Sequence, residues 1–140
     1  MVFLTIHINI TKIKKNEVQS LLERINQKLS SEGTDGFMFI PNRKDEKENP
    51  KFTNSYCLNA LGYDTEDVMR EIMTLQVSNY YESLFDRKSK KPDLLHVFIK
   101  EIMNKQVYIK IKMKEIGDDD MVLCISFHFT EQHIGKLPYG

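Results

Sequence analysis

Gln106-Val107-Tyr108-Ile109-Lys110-Ile111-Lys112-Met113-Lys114-Glu115-Ile116 carries the clearest two-residue period in the chain. Val107, Ile109, Ile111 and Met113 alternate with Tyr108, Lys110, Lys112 and Lys114, and successive side chains of a strand point to opposite faces. The stretch therefore predicts a β-strand with an apolar inner face and an aromatic, cationic outer face. Gly117-Asp118-Asp119-Asp120 is turn chemistry, and residues 121 to 129 read as a further apolar strand. Together they predict an antiparallel hairpin. If it closes through residues 117 to 120, Ser126 and His128 share one surface with Tyr108, Lys110 and Lys112.

Upstream, residues 95 to 103 predict a third strand, and residues 77 to 84 hold the pair Tyr80-Tyr81. Between them, residues 86 to 93 form a lysine-rich loop. Residues 12 to 31 place Ile13, Val18, Leu21, Leu22, Ile25 and Leu29 at helical spacing, with Gly33 and Gly36 beyond as stops. Phe37 to Ile40 is a short strand before Pro41, and the charge-dense residues 42 to 50 are a loop rooted at Arg43 and Lys44. One helix is expected from Lys51 to Leu61, with Phe52, Tyr56, Leu58 and Leu61 on one face. Another opens at Asp64-Thr65-Glu66-Asp67 with Val68, Ile72 and Leu75 inward. Helices mainly N-terminal and a small antiparallel sheet mainly C-terminal give an α+β fold, with helices packed on one side of the sheet. The alternating residues 1 to 10 read as an added strand, not a signal peptide.

At 140 residues and 41% hydrophobic content the chain builds one domain, 1–140. Cys57 and Cys124 lie among apolar neighbours and predict buried, reduced thiols rather than a disulfide framework. No apolar run reaches the roughly 20 residues of a spanning helix, so a soluble, cytoplasmic protein is expected. The 20 basic and 20 acidic residues balance, which gives no support to general nucleic-acid or membrane binding. By segment the balance breaks: residues 77 to 116 hold nine basic and five acidic side chains, whereas residues 117 to 140 hold one and four. Lys110 and Lys112 therefore belong either to a phosphate-binding face or to an ordinary solvated one.

His128 likewise has two readings, a strand-end residue bonded to a carbonyl or a proton-transfer group beside cations. Tyr80 and Tyr81 divide between one core ring and one that stacks on a base. His7, His96 and His133 lack the spacing of a zinc site, and the chain has no phosphate loop, nucleophile elbow or metalloprotease helix. That leaves metal-free acid–base chemistry or binding, with no cofactor. Cleavage of RNA by its own 2′-hydroxyl needs a base, an acid and positive charge on the phosphate, and His, Tyr, Lys and Arg suffice.

Tyr108-Ile109-Lys110-Ile111-Lys112, Cys124-Ile125-Ser126-Phe127-His128 and Leu137-Pro138-Tyr139 follow Leu61-Gly62-Tyr63, Asp67-Val68, Leu75 and Tyr80-Tyr81 in order. This succession resembles the MqsR-type mRNA interferase toxins of bacterial toxin–antitoxin systems, over residues 37 to 139. The resemblance implies a RelE-like fold, a metal-independent endoribonuclease that cleaves mRNA and arrests growth, and an antitoxin partner. It implies catalytic roles for Tyr108, Lys110, His128 and Tyr81, and RNA contacts from Arg43, Lys44, Lys100, Lys112 and Ser126. At His128 short members carry lysine, and Glu82 stands where many members carry lysine. Residues 1 to 31 form an N-terminal extension that extends the sheet or holds the antitoxin. The rival reading is a non-catalytic interaction module on the same scaffold.

Overall fold

The structure, a computed structural model, describes residues 10–41, 49–87, 89–90 and 93–140. Its centre is the hairpin of β5 (Lys105–Ile116) and β6 (Asp119–Phe129), joined by a tight turn in which Gly117 takes φ +63°. On the other side β5 pairs with β4 (Leu94–Ile102), β4 with β3 (Tyr80–Phe85), and β3 with the two-residue β1 (Ile10–Thr11). All these pairs are antiparallel, and β2 (Phe37–Phe39) closes the far edge parallel to β6. The order is β1-β3-β4-β5-β6-β2.

Helix α1 (Lys15–Glu32) buries Val18, Leu21, Leu22, Ile25 and Leu29, the stripe its spacing predicts. Helix α3 (Thr65–Met73) opens on a capping box between Asp64 and Asp67 and buries Val68 and Ile72. The second predicted helix starts later than its periodicity implies. A 3-10 turn covers Pro50–Phe52, the Thr53 side chain caps, and α2 runs Asn54–Leu61. The shorter helix turns Asn54, Cys57 and Leu61 inward and leaves Tyr56 40% exposed, edge-on to Phe129. These helices cover one side of the sheet, where Phe98, Val107, Ile109, Ile111, Val122, Cys124, Phe127 and Phe129 complete a hydrophobic core. The fold is thus α+β, with a mostly antiparallel sheet.

Both cysteines are buried free thiols, and burial pushes Cys57 up to about 12 and Cys124 up further. Of the expected strand over residues 1 to 10, residues 1 to 9 lie outside the described residues and Ile10 begins β1. No helix among the described residues is long and apolar enough to cross a membrane.

Candidate functional site

The side of the sheet away from the helices carries the residues of interest, and the β5–β6 register decides which of them meet. From the turn the pairing runs regularly to Ile111↔Cys124, after which Lys110 faces Ser126 and Tyr108 faces His128. Ile125 is therefore an extra residue on β6, a β-bulge. Without it Ser126 and His128 would lie on the core side with Val122 and Cys124, because one residue of slip exchanges the two faces of a strand.

Asn54 holds this bulge. Its Nδ2 donates to the Ile125 carbonyl at 3.0 Å and to the Ile40 carbonyl at 2.8 Å, while the Phe127 N–H donates to its Oδ1 at 2.9 Å. A bulge interrupts the ladder and leaves backbone groups to satisfy, and the buried amide of Asn54 satisfies two of them. Sequence reasoning missed Asn54. The available signal was a polar residue on the inward stripe of α2.

Beyond the bulge the rings of Tyr108 and His128 stack, with centroids 5.0 Å apart and planes 10° apart. His128 Nδ1 lies 3.0 Å from the Phe129 carbonyl oxygen. A carbonyl only accepts, so Nδ1 carries a proton, and in the neutral ring Nε2 is the acceptor. One level across the sheet runs Ile99, Tyr108, His128, and the next runs Glu82, Val97, Lys110, Ser126. The hairpin thus brings together Tyr108, Lys110, Ser126 and His128. Glu82 shares their face two strands from Lys110, and burial raises its carboxyl, partly offset by the Lys12 ammonium.

The remaining predicted residues lie elsewhere. Tyr80 is the core ring of the tyrosine pair, fully buried against Phe98 and Tyr139. Tyr81 stands in a second irregularity of the sheet, on β3, with the Lys12 ammonium 5.3 Å from its ring centroid. Lys100 pairs with Val107 on the helix side, where its ammonium is 2.7 Å from Glu71 and bonds Thr74. Burial pushes the Glu71 carboxyl up, but Lys100 and the Tyr63 hydroxyl outweigh this and hold it below the usual range. Lys112 is on the outer face yet only 8% exposed, its ammonium 2.8 Å from Asp86 and 3.2 Å from Asp93. Arg43 and Lys44 lie outside the described residues. Among the described residues no cluster of His, Cys, Asp or Glu could hold a metal ion.

Over residues 41–129, well over half its length, the sequence matches the family described as motility quorum-sensing regulator, toxin of MqsA. The chain belongs to the MqsR toxin family. No curated protein matches it. Membership makes the chain a toxin of a toxin–antitoxin system and implies an antitoxin partner. The MqsR match ends at Phe129 with the last residue of β6, so it contains Asn54, the bulge and the Tyr108–His128 stack. It leaves out α1 and β2, although α1 supplies five residues to the core.

Proposed function

We propose that this MqsR-family toxin is a metal-independent endoribonuclease that cleaves mRNA. The observation that carries this reading is the Tyr108–His128 stack beside Lys110 on one side of the sheet. In the reaction the 2′-oxygen bonds to the adjacent phosphorus, the bond from phosphorus to the 5′-oxygen breaks, and a cyclic phosphate and a 5′-hydroxyl result. A proton leaves the 2′-hydroxyl and another reaches the departing 5′-oxygen. His128 carries one of these transfers through Nε2, because Nδ1 is committed to Phe129. Tyr108 holds the imidazole plane, and with Tyr81 it positions the nucleotide. Lys110, with Arg43, offsets charge growing on the phosphate. An mRNA substrate is cytoplasmic, so this reading puts the toxin in the cytoplasm.

The test is induced expression with mapping of RNA ends. His128→Ala relieves growth arrest and lowers cleavage by about two to four powers of ten, the usual range for one acid–base group. Full activity in that variant removes His128 from the mechanism. One observation favours the second reading, a non-catalytic interaction module: His128 is 6% exposed and its ring is already engaged on a face and at Nδ1. Under that reading the unaltered chain yields no new RNA ends, and it binds a partner protein whether or not Tyr108 and His128 are present.

A further inference from the structure

Six of the fourteen charged side chains of residues 77 to 116, four basic and two acidic, fall in Asp86-Arg87-Lys88-Ser89-Lys90-Lys91-Pro92-Asp93, the connection from β3 to β4. Its two aspartates are not spread among its cations at random. Asp86 donates its backbone N–H to the Asp93 carbonyl at 2.9 Å, which closes the base of the loop. Both carboxylates take the Lys112 ammonium, reaching past the start of β4, and the Ser89 hydroxyl donates to Asp93 at 2.7 Å. Burial works against the charge of Lys112, but the two carboxylates outweigh it and raise its pKa. The pairing engages both carboxylates of the loop, offsets one of their two charges and ties the loop to the strand of Tyr108 and Lys110.

This docking has a geometric result. Lys112 lies on the face of Tyr108 and Lys110, four residues from Tyr108, on the order of 13 Å along an extended strand. Between the docked loop and β5 is a cleft of about 250 Å³ lined by Ser89, Lys90, Asp93, Lys112, Lys114 and Glu115 among others. Arg87, Lys90 and Lys114 are exposed, and among the described residues none of them is held in an ion pair.

We infer that Arg87, Lys90 and Lys114 form a phosphate-binding track for single-stranded RNA, continuous with the Tyr108–His128 site, and that Lys112 is the clamp that positions it. A positive groove that follows the backbone beside an aromatic ring is how single strands are held without regard to sequence. An RNA lying on Tyr108 and running past Lys110 reaches the loop after a few nucleotides. The inference rests on the reading of this face as an RNA site. It reassigns Lys112 from RNA contact to positioning residue.

The probe is fluorescent, uncleavable 2′-O-methyl RNA in two lengths, about 4 and about 12 nucleotides, the range of such sites. Anisotropy is recorded across a salt series for the full chain and its variants. Replacing Arg87, Lys90 and Lys114 by Ala weakens the longer RNA at least ten-fold, leaves the shorter one unchanged and lowers the salt slope by about 2, roughly 0.7 for each phosphate contact. Lys112→Met also weakens the longer RNA, and Lys112→Arg retains it, with thermal midpoints recorded beside each. Unchanged binding of both lengths by the triple variant overturns the track, as does equal weakening of both. Tyr108→Ala separates the two ideas: if it weakens both lengths while the triple variant does nothing, the site stands and the track falls. An unaltered chain that binds neither length at low salt overturns both.

Discussion

At the scale of single residues, the stack of Tyr108 on His128 separates what a ring does from what a hydroxyl does. If Tyr108 acts by holding the imidazole plane, Tyr108→Phe keeps cleavage within a few-fold. Tyr108→Ala then loses about two powers of ten, the size of effect that a displacement near 1 Å produces. Equal losses in both variants would assign the work to the hydroxyl instead. Glu82 shares the outer face with Lys110, where a carboxylate repels a phosphate backbone. Glu82→Lys therefore tightens RNA binding and steepens its salt dependence by about 0.7, and a flat response takes Glu82 away from the RNA path. Residue identity made the outer-face placement of Tyr108 and Lys110 legible in the sequence, because a tyrosine and lysines alternating with aliphatics declare an outer face. It did not reveal that Lys100 and Lys112 are already engaged by Glu71, Asp86 and Asp93. A lysine has the same letter whether it faces solvent or closes a loop, and only the three-dimensional neighbours differ.

At the scale of elements, the helices and the strands β2, β4, β5 and β6 were readable to within a few residues, whereas β3 and the bulge were not. Regular alternation along Val122, Cys124, Ser126 and His128 would send all four to one face, whereas the extra residue Ile125 parts them. A trace exists in the core positions, which shift from Val122 and Cys124 to Phe127 and Phe129, from even to odd. The bulge depends on Asn54, so Asn54→Ala leaves buried backbone groups without partners, at about 1–3 kcal/mol each. It also moves His128: a chemical-shift change of the imidazole protons, now beside the Tyr108 ring, accompanies a lower urea midpoint. Lost stability with unchanged imidazole shifts would make Asn54 a support of the fold alone. The β4–β5 turn was also missed, because it contains no glycine. Met103 and Asn104 take φ +50° and +66°, the left-handed pair of a type I′ turn, and Met103 is 65% exposed. Asparagine tolerates this conformation better than methionine, so Met103→Asn stabilises the chain by about 0.5–1 kcal/mol, read from the thermal midpoint.

Across the whole molecule, the two ends of the described chain converge on one buried polar chain, which makes stability depend on pH. The Ile13 N–H donates to the Tyr80 hydroxyl at 3.1 Å, the Tyr80 and Ser83 hydroxyls lie 2.6 Å apart, and Ser83 Oγ is 2.8 Å from His96 Nδ1. Tyr139 stacks on Tyr80 and donates its hydroxyl to the Ile13 carbonyl at 2.6 Å. No local pattern announces this assembly, since its members are 13, 80, 83, 96 and 139 in order and only the finished sheet brings them together. Burial lowers the His96 pKa from 6.5 to about 4, so the folded state keeps the ring neutral where the unfolded chain protonates it. Between these values the unfolded state binds more protons, and stability falls as pH falls. The stabilisation is complete above pH 6.5, is reduced by about 2 kcal/mol at pH 5 and by about 3 kcal/mol once pH drops below 4. Carboxylates such as Glu71 and Asp119, held below their ordinary range by Lys100 and Lys28, lose their stabilising charge in the more acidic part of that interval. The interval from pH 6.5 to 5 therefore reports mainly on histidine. Urea midpoints measured there for the wild-type chain and His96→Gln are expected to converge as the pH drops, because glutamine keeps a polar partner for Ser83 and binds no proton. Curves that stay parallel would show that His96 is not the group whose protonation destabilises the fold.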